Sequence, residues 1–169
     1  ELFTLQELVE AFSLGRIVKA GTRFDIDKAK WFNQQYIKKR SVNDLAAFLL
    51  LDLEKENITC PMEKATKIAG AMQERVTFPQ EIWSTAKYFF IPPKDYDEKV
   101  ARKKWTKEAV AVFEAYRNAL DTLTHFDREV AKSTLQEVLD KQGVKMGKVM
   151  QALRLAVTGT GGGPDLMAI

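Results

Sequence analysis

The sequence predicts an all-α protein, a bundle or cage of about eight helices arranged as two packed helical subdomains. Three observations predict it. Apolar residues recur at helical spacing along nearly the whole chain and almost nowhere alternate as strands do. Capping residues stand ahead of these stripes, and glycine, asparagine or proline closes several of them. No repeat of fixed period is present, which argues against a solenoid. At 169 residues the chain can bury roughly 70% of its unfolded surface, so it needs no disulfide or metal to fold.

The elements follow in order. Thr4 and Glu7 make a capping box, and Leu5, Leu8, Val9 and Phe12 then share one helical face. Gly15 and Gly21 break the rhythm over 13–26, which reads as a loop. Asp27 is placed to cap the next helix, with Ala29, Phe32 and Tyr36 on one side. Ser41 and Asp44 open a third carrying Val42, Leu45, Ala46, Leu49 and Leu53, and Asn57 ends it. Pro61 suits the first turn of a fourth, whose stripe is Met62, Ala65, Ala69, Met72 and Val76. Thr77, Pro79 and Gln80 introduce a fifth, with Ile82, Trp83, Ala86 and Phe90.

Pro92 and Pro93 enforce an extended break, and the charged stretch 95–104 connects it to Thr106. A long helix then carries Ala109, Val112, Phe113, Tyr116, Leu120 and Leu123. Asp127 starts another, with Ala131, Leu135, Val138 and Leu139, which Gly143 stops. Met146, Val149, Met150, Leu153 and Val157 mark the last, ahead of a glycine-rich loop over 158–164. The chain is divided at the seam after Asn57, giving an N-terminal helical subdomain over 1–57 and a larger C-terminal one over 58–169.

Several kinds of chemistry are absent. The single Cys60 forms no internal disulfide, which points to a reducing compartment or to no redox role. One Cys and one His, His125, cannot build a Cys/His zinc site or a two-His centre, so no metal site is expected. No apolar run approaches the ~18 residues of a membrane span. His125 has no nucleophile or base at a telling spacing and reads as structural or solvated. Gly159, Gly161, Gly162 and Gly163 follow no strand and precede no Lys-Ser/Thr pair, so they are not a phosphate-binding loop. No catalytic residue and no cofactor is assigned to this chain, which starts at Glu1 without Met or leader and reads as a piece of something longer. The net charge of +3 permits a nucleic-acid face without demanding one. Three cationic clusters stand out: Lys38, Lys39 and Arg40; Lys99, Arg102, Lys103 and Lys104; Lys145 with Lys148. Charge runs are usually solvated faces, and Trp31, Trp83 and Trp105 are more often core than stacking platforms.

Two stretches carry a resemblance. Phe3 to Leu8 through Phe12, then Phe24-Asp25-Ile26-Asp27-Lys28 with Trp31, Asn33 and Tyr36, is similar to the segment after the catalytic core of glutamyl-tRNA synthetases. Gly143, Lys145, Gly147, Leu153-Arg154, Ala156, Thr158-Gly159, Pro164 and Leu166 resemble the same family's signature near its C-terminus. Met72 to Arg75 and 86–90 resemble its helical linker. Ala29 stands where the family usually has Leu, and the loop before Pro164 is richer in glycine than usual.

The resemblance implies a bacterial-type class I synthetase's anticodon-binding part, without the ATP-handling motifs. ATP and magnesium would then belong to the full-length ligase, and this chain's partners would be glutamate tRNA and the enzyme's own N-terminal catalytic domain, in a cytoplasmic monomer. Arg75 matches an Arg associated with the third anticodon base. A guanidinium offers only donors, which suit cytosine O2 and N3 better than the N–H groups of guanine. Arg154 would lie at the anticodon pocket, and Gly163, Pro164 and Leu166 match a loop receiving the middle base. Lys38, Lys39, Arg40, Lys145 and Lys148 are possible phosphate contacts. The competing reading is a helical protein–protein interaction module that binds no RNA.

Overall fold

The computed structural model describes residues 2–17, 20, 21 and 23–169. Among them are nine α-helices and two short 3-10 turns, with no strand. The chain forms two compact units, Glu1–Ile82 and Trp83–Ile169.

In the first unit, α1 (Leu5–Ala11) starts from the predicted capping box. Thr4 Oγ1 accepts from the Glu7 amide at 3.3 Å, and Glu7 Oε2 accepts from the Thr4 amide at 2.7 Å. The Thr4 amide first, and then the Thr4 hydroxyl, which donates to Glu7 Oε2 at 2.9 Å, hold the Glu7 carboxyl below the usual carboxylate range. The helix buries none of its residues: Leu5 is 79% exposed, and Leu8, Val9 and Phe12 also face solvent. A 3-10 turn, Leu14–Arg16, follows. α2 (Ile26–Lys39) is capped by Asp25, whose Oδ1 accepts from the amides of Asp27 and Lys28 at 3.1 and 3.0 Å. The expected cap, Asp27, is already helical; a cap keeps extended backbone, which Asp25 has. Asp27 instead sits in the first turn, where its charge suits the positive end of the helix.

α3 (Val42–Lys55) and α4 (Met62–Met72) pack on each other, burying Leu45, Ala46, Leu49 and Leu53 against Ala65, Ile68, Ala69 and Met72. Met62, expected on that stripe, is exposed. Between them Asn57 takes a left-handed conformation at φ +58°, with its amide donating to Glu54 O at 3.0 Å and the Ile58 amide to Leu53 O at 2.9 Å. This Schellman arrangement satisfies carbonyls that the helix end leaves open. The division expected after Asn57 falls here, inside the first unit. The compact boundary lies instead at 82/83, because the stripes on both sides of Asn57 close one core. The turn after α4 is tied back to α2. Gln73 Nε2 donates to the carbonyls of Ile37, Lys38 and Arg40 at 2.9, 3.3 and 2.8 Å, the Asn33 amide bonds Thr77 O, and Gln34 Nε2 reaches Glu74 O at 3.4 Å.

α5 (Glu81–Ala86) runs across the boundary and a 3-10 turn, Lys87–Phe89, follows it. The charged stretch read as a connection contains a helix, α6 (Glu98–Lys104). Asp97 nucleates it by accepting from the amides of Lys99 and Val100 at 2.9 and 3.1 Å. α7 (Lys107–Leu120) is capped by Thr106, which accepts from the Ala109 amide at 3.1 Å, and ends before Leu123. α8 (Arg128–Gln142) is capped by Asp127 and closed by Gly143 at φ +65°, where the Val144 amide donates to Leu139 O at 3.0 Å. α9 (Met146–Thr158) is the last helix.

The core of the second unit joins Ala109, Val112 and Tyr116 of α7, Leu135, Val138 and Leu139 of α8, and Val149, Ala152 and Leu153 of α9. Tyr116 is the polar group inside it. Its hydroxyl donates to Ala131 O at 2.9 Å, and burial pushes the phenol up. α6 covers a different side of α9.

Candidate nucleic-acid interface

Arg154 sits on α9 between the core residues Leu153 and Leu155, and its side chain leaves the stripe sideways, partly buried. Its Nη1 donates to Pro164 O at 2.6 Å. A guanidinium has five N–H donors, so this bond leaves others available. The bond is charge-assisted and fixes where the chain returns after the glycine-rich loop.

That loop is ordered by its own polar groups. Thr158 Oγ1 donates to Arg154 O at 2.8 Å and accepts from the Thr160 amide at 3.2 Å, and Thr160 Oγ1 donates to Gly162 O at 2.8 Å. Gly159 ends α9 at φ +76°, and its carbonyl accepts from the Asp97 amide at 2.9 Å. A Cβ at this position would lie 2.7 Å from Asp95 O and 2.9 Å from Pro93 Cβ, so only glycine fits. Gly163 takes φ +141°, and a Cβ there would stand 3.0 Å from Arg154 Nη1. Gly159 is demanded by packing within the protein, and Gly163 by its backbone conformation.

Beyond the loop, Asp165 acts as a hub. One carboxylate oxygen accepts from the amides of Met167 and Ala168 at 2.8 and 3.2 Å, and the other pairs with Arg128 Nη2 at 3.1 Å. Pro164 is buried, and Leu166, 8% exposed, belongs to the core. The structure thus brings together Arg154, Gly163, Pro164 and Leu166. The Arg128–Asp165 pair had no sequence signal, since it depends on how the chain returns.

Arg75 belongs to the first unit, three residues past the end of α4, where its amide donates to Met72 O at 2.8 Å. Its side chain is exposed and makes no ion pair among the described residues, so all its donors are available. Lys38 and Lys39 form the last turn of α2, and Arg40 caps it with its guanidinium 5.1 Å from the Phe48 ring centroid and 3.9 Å from Asp44. A cavity of about 250 Å³ opens there, lined by Asn33, Tyr36, Ile37, Lys39, Arg40 and Pro79. Lys145 stands at the N-terminus of α9 and Lys148 pairs with Glu108 at 3.4 Å. Cations at that end of a helix oppose the macrodipole, and the Glu108 carboxylate offsets this for Lys148.

Other sequence candidates are placed by the structure as follows. His125 is exposed and its Nε2 lies 2.8 Å from Asp127 Oδ2. The Val130 amide, and then His125, hold Asp127 below the usual carboxylate range. Trp31 and Trp105, expected in a core, are half exposed; Trp105 is the C-cap of α6 and Trp31 lies on a helix with only Ile37 buried.

Residues 17–169 match the anticodon binding domain family. The chain is 49% identical over 168 residues to a glutamate–tRNA ligase of Cytophaga hutchinsonii, covering 99% of this chain and 32% of that protein. It is 40% identical to the glutamate–tRNA ligase of Amoebophilus asiaticus over 99% of this chain and 33% of that one. Among solved structures, it is similar to a glutamate tRNA ligase from Elizabethkingia meningosepticum in complex with its amino acid, at a TM-score of 0.84 and 38% identity over 98% of this chain and 33% of the other. The chain therefore spans about a third of the length of the relatives it matches.

Proposed function

The chain belongs to the anticodon binding domain family, and from that premise we propose that it reads the anticodon of glutamate tRNA for a glutamate–tRNA ligase whose chemistry lies elsewhere in the enzyme. The observation that carries the reading is the correspondence with such ligases along practically the whole chain. In this reading the chain supplies specificity. RNA sequence is read from unstacked single-stranded bases, and rigid helices hold donors where such bases arrive.

Arg75 reads the third anticodon base. Its donors meet O2 and N3 of a cytosine, whereas a guanine turns N–H groups toward them and leaves charged donors unpaired, at about 1–3 kcal/mol. Arg154 and the loop through Gly163, Pro164 and Leu166 frame the middle base. The burial of Leu166 supports a part played through its backbone and the shape it gives the loop. Lys38, Lys39, Arg40, Lys145 and Lys148 hold phosphates, with Lys148 released from Glu108 to do so. ATP and magnesium serve the catalytic portion, and no residue here is assigned to them. The apolar residues that α1 leaves exposed support a partner surface, which we assign to that catalytic portion within one cytoplasmic, monomeric enzyme.

The test is binding of glutamate tRNA transcripts carrying variant anticodons across a salt series. Affinity should fall steeply with salt as phosphate contacts release counterions, and a C-ending anticodon should be preferred to a G-ending one. Arg75→Gln should narrow that preference roughly 5- to 100-fold. A wild-type chain that ignores tRNA at low salt would favour the protein–protein module instead, and equal discrimination by Arg75→Gln would remove Arg75 from the reading.

A further inference from the structure

Where α6 crosses α9, an open cavity of about 370 Å³ is lined by Tyr96, Ala101, Trp105, Leu155 and Ala156. Its volume lies within the ~300–1,000 Å³ of small-ligand sites and is ample for one nucleobase. Tyr96 and Trp105 are each 47% exposed. Side chains of this size normally bury far more of themselves in a core, and here the other lining residues, Ala101, Leu155 and Ala156, are apolar. Trp105 is held from behind by Phe113, with ring centroids 5.7 Å apart at 56°. The two rings are tilted, and about half of Trp105 stays open to solvent. Next to Trp105 in the chain, α6 ends in Arg102, Lys103 and Lys104, and α7 begins with Lys107. Arg102 pairs with Glu98, and Lys99, Lys103, Lys104 and Lys107 make no ion pair among the described residues. The groove adjoins the ordered loop: the Asp97 amide, one residue from Tyr96, bonds Gly159 O.

We infer that this groove is a stacking subsite in which Tyr96 and Trp105 receive one unstacked base of the bound tRNA, read by its flat face rather than its edge, while the lysines at the junction of α6 and α7 take the flanking phosphates. The inference rests on the proposed function and adds a contact to it. Every base has a π-face, so such a subsite contributes affinity without sequence preference. Unpaired cations beside exposed aromatics favour a polyanionic strand over an apolar protein helix. They repel nothing in RNA, and their attraction to phosphate strengthens as the two charges approach.

Trp105→Leu keeps apolar volume against Phe113 and removes the stacking face; Trp105→Phe retains a ring. With glutamate tRNA as the probe at fixed salt, Trp105→Leu and Tyr96→Leu should each bind roughly 5- to 100-fold more weakly. Trp105→Phe should stay within a few fold of wild type, and C-versus-G discrimination at the third anticodon base should be unchanged in all three. In a Trp31→Phe, Trp83→Phe background the remaining Trp105 emission should quench on adding tRNA. If both leucine variants bind tRNA like wild type and Trp105 emission does not change, the subsite is refuted while the proposed function stands. If wild type shows no salt-sensitive binding of tRNA, the proposed function fails first and the subsite with it. Emission that responds to a protein partner but not to tRNA would make the groove a protein-docking site and would also overturn the inference.

Discussion

Replacing Arg154 by Ala tests whether this side chain organises the return of the chain. The perturbation deletes the Nη1 donor that meets Pro164 O at 2.6 Å. A hydrogen bond to a charged group contributes about 1.5–3 kcal/mol, and an acceptor left unpaired in a buried setting costs about 1–3 kcal/mol. Because these overlap, about 2 kcal/mol is the expected loss, which raises the open population of the segment after the loop roughly thirtyfold. Amide hydrogen exchange reads this directly at Met167, Ala168 and Ile169, whose amides bond to Asp165 when the segment is closed. Val144, whose amide bonds Leu139 O in the closing turn of α8, is the internal control. Arg128→Ala supplies a graded comparison. Its pair with Asp165 is more than half exposed on both sides, so it contributes only about 0–1 kcal/mol and exchange should rise less than about fivefold. Unchanged exchange at 167–169 in Arg154→Ala, or a larger effect from Arg128→Ala, would refute the reasoning. Under the proposed function, tRNA affinity should fall in step with the loosening.

Leu135 is fully buried in the core of the second unit, and Leu135→Ala should destabilise that unit by about 2–5 kcal/mol, read as a drop in its urea midpoint. Acid sensitivity follows from Asp127 and Glu7, both held below the usual carboxylate range by the amides they cap. A lowered folded pKa means stabilisation that is complete above the unfolded value of about 4 and is lost as pH falls through the folded one; relative to the intrinsic exchange rate at each pH, the N-terminal amides of α8 should therefore lose protection below about pH 4 but not between pH 5 and 7, and the difference should vanish in Asp127→Asn. The chain mixed with ATP, glutamate and tRNA should form no glutamyl-tRNA above background, and any charging would place chemistry in these residues.

Signals confined to a few neighbouring residues were legible in the sequence. The Thr4–Glu7 box, the Thr106 and Asp127 caps, and the stops at Asn57 and Gly143 all needed only local geometry and stand where expected. α6 was missed because 98–104 has only Val100 and Ala101 to suggest a stripe; its helix depends on Asp97 and on packing against α9. The face of α1 was legible but not its surroundings, since spacing tells which residues share a side and not what that side meets. The same holds at the candidate site. That Arg154 leaves the stripe follows from its position beside Leu153, but its acceptor lies ten residues away across an irregular segment whose path no periodicity encodes.

The side-chain amide of Gln73 has two hydrogens and serves three carbonyls at the end of α2, and Arg75 lies two residues beyond it in the same turn. Together with Asn33 on Thr77 O and Gln34 on Glu74 O, that crosspiece makes the basic corner of Lys38, Lys39 and Arg40 and the Arg75 turn one mechanical element. Under the proposed function, a strand leaning on the corner would load the turn directly, so grip and reading in this unit would share a strut and could not drift apart independently.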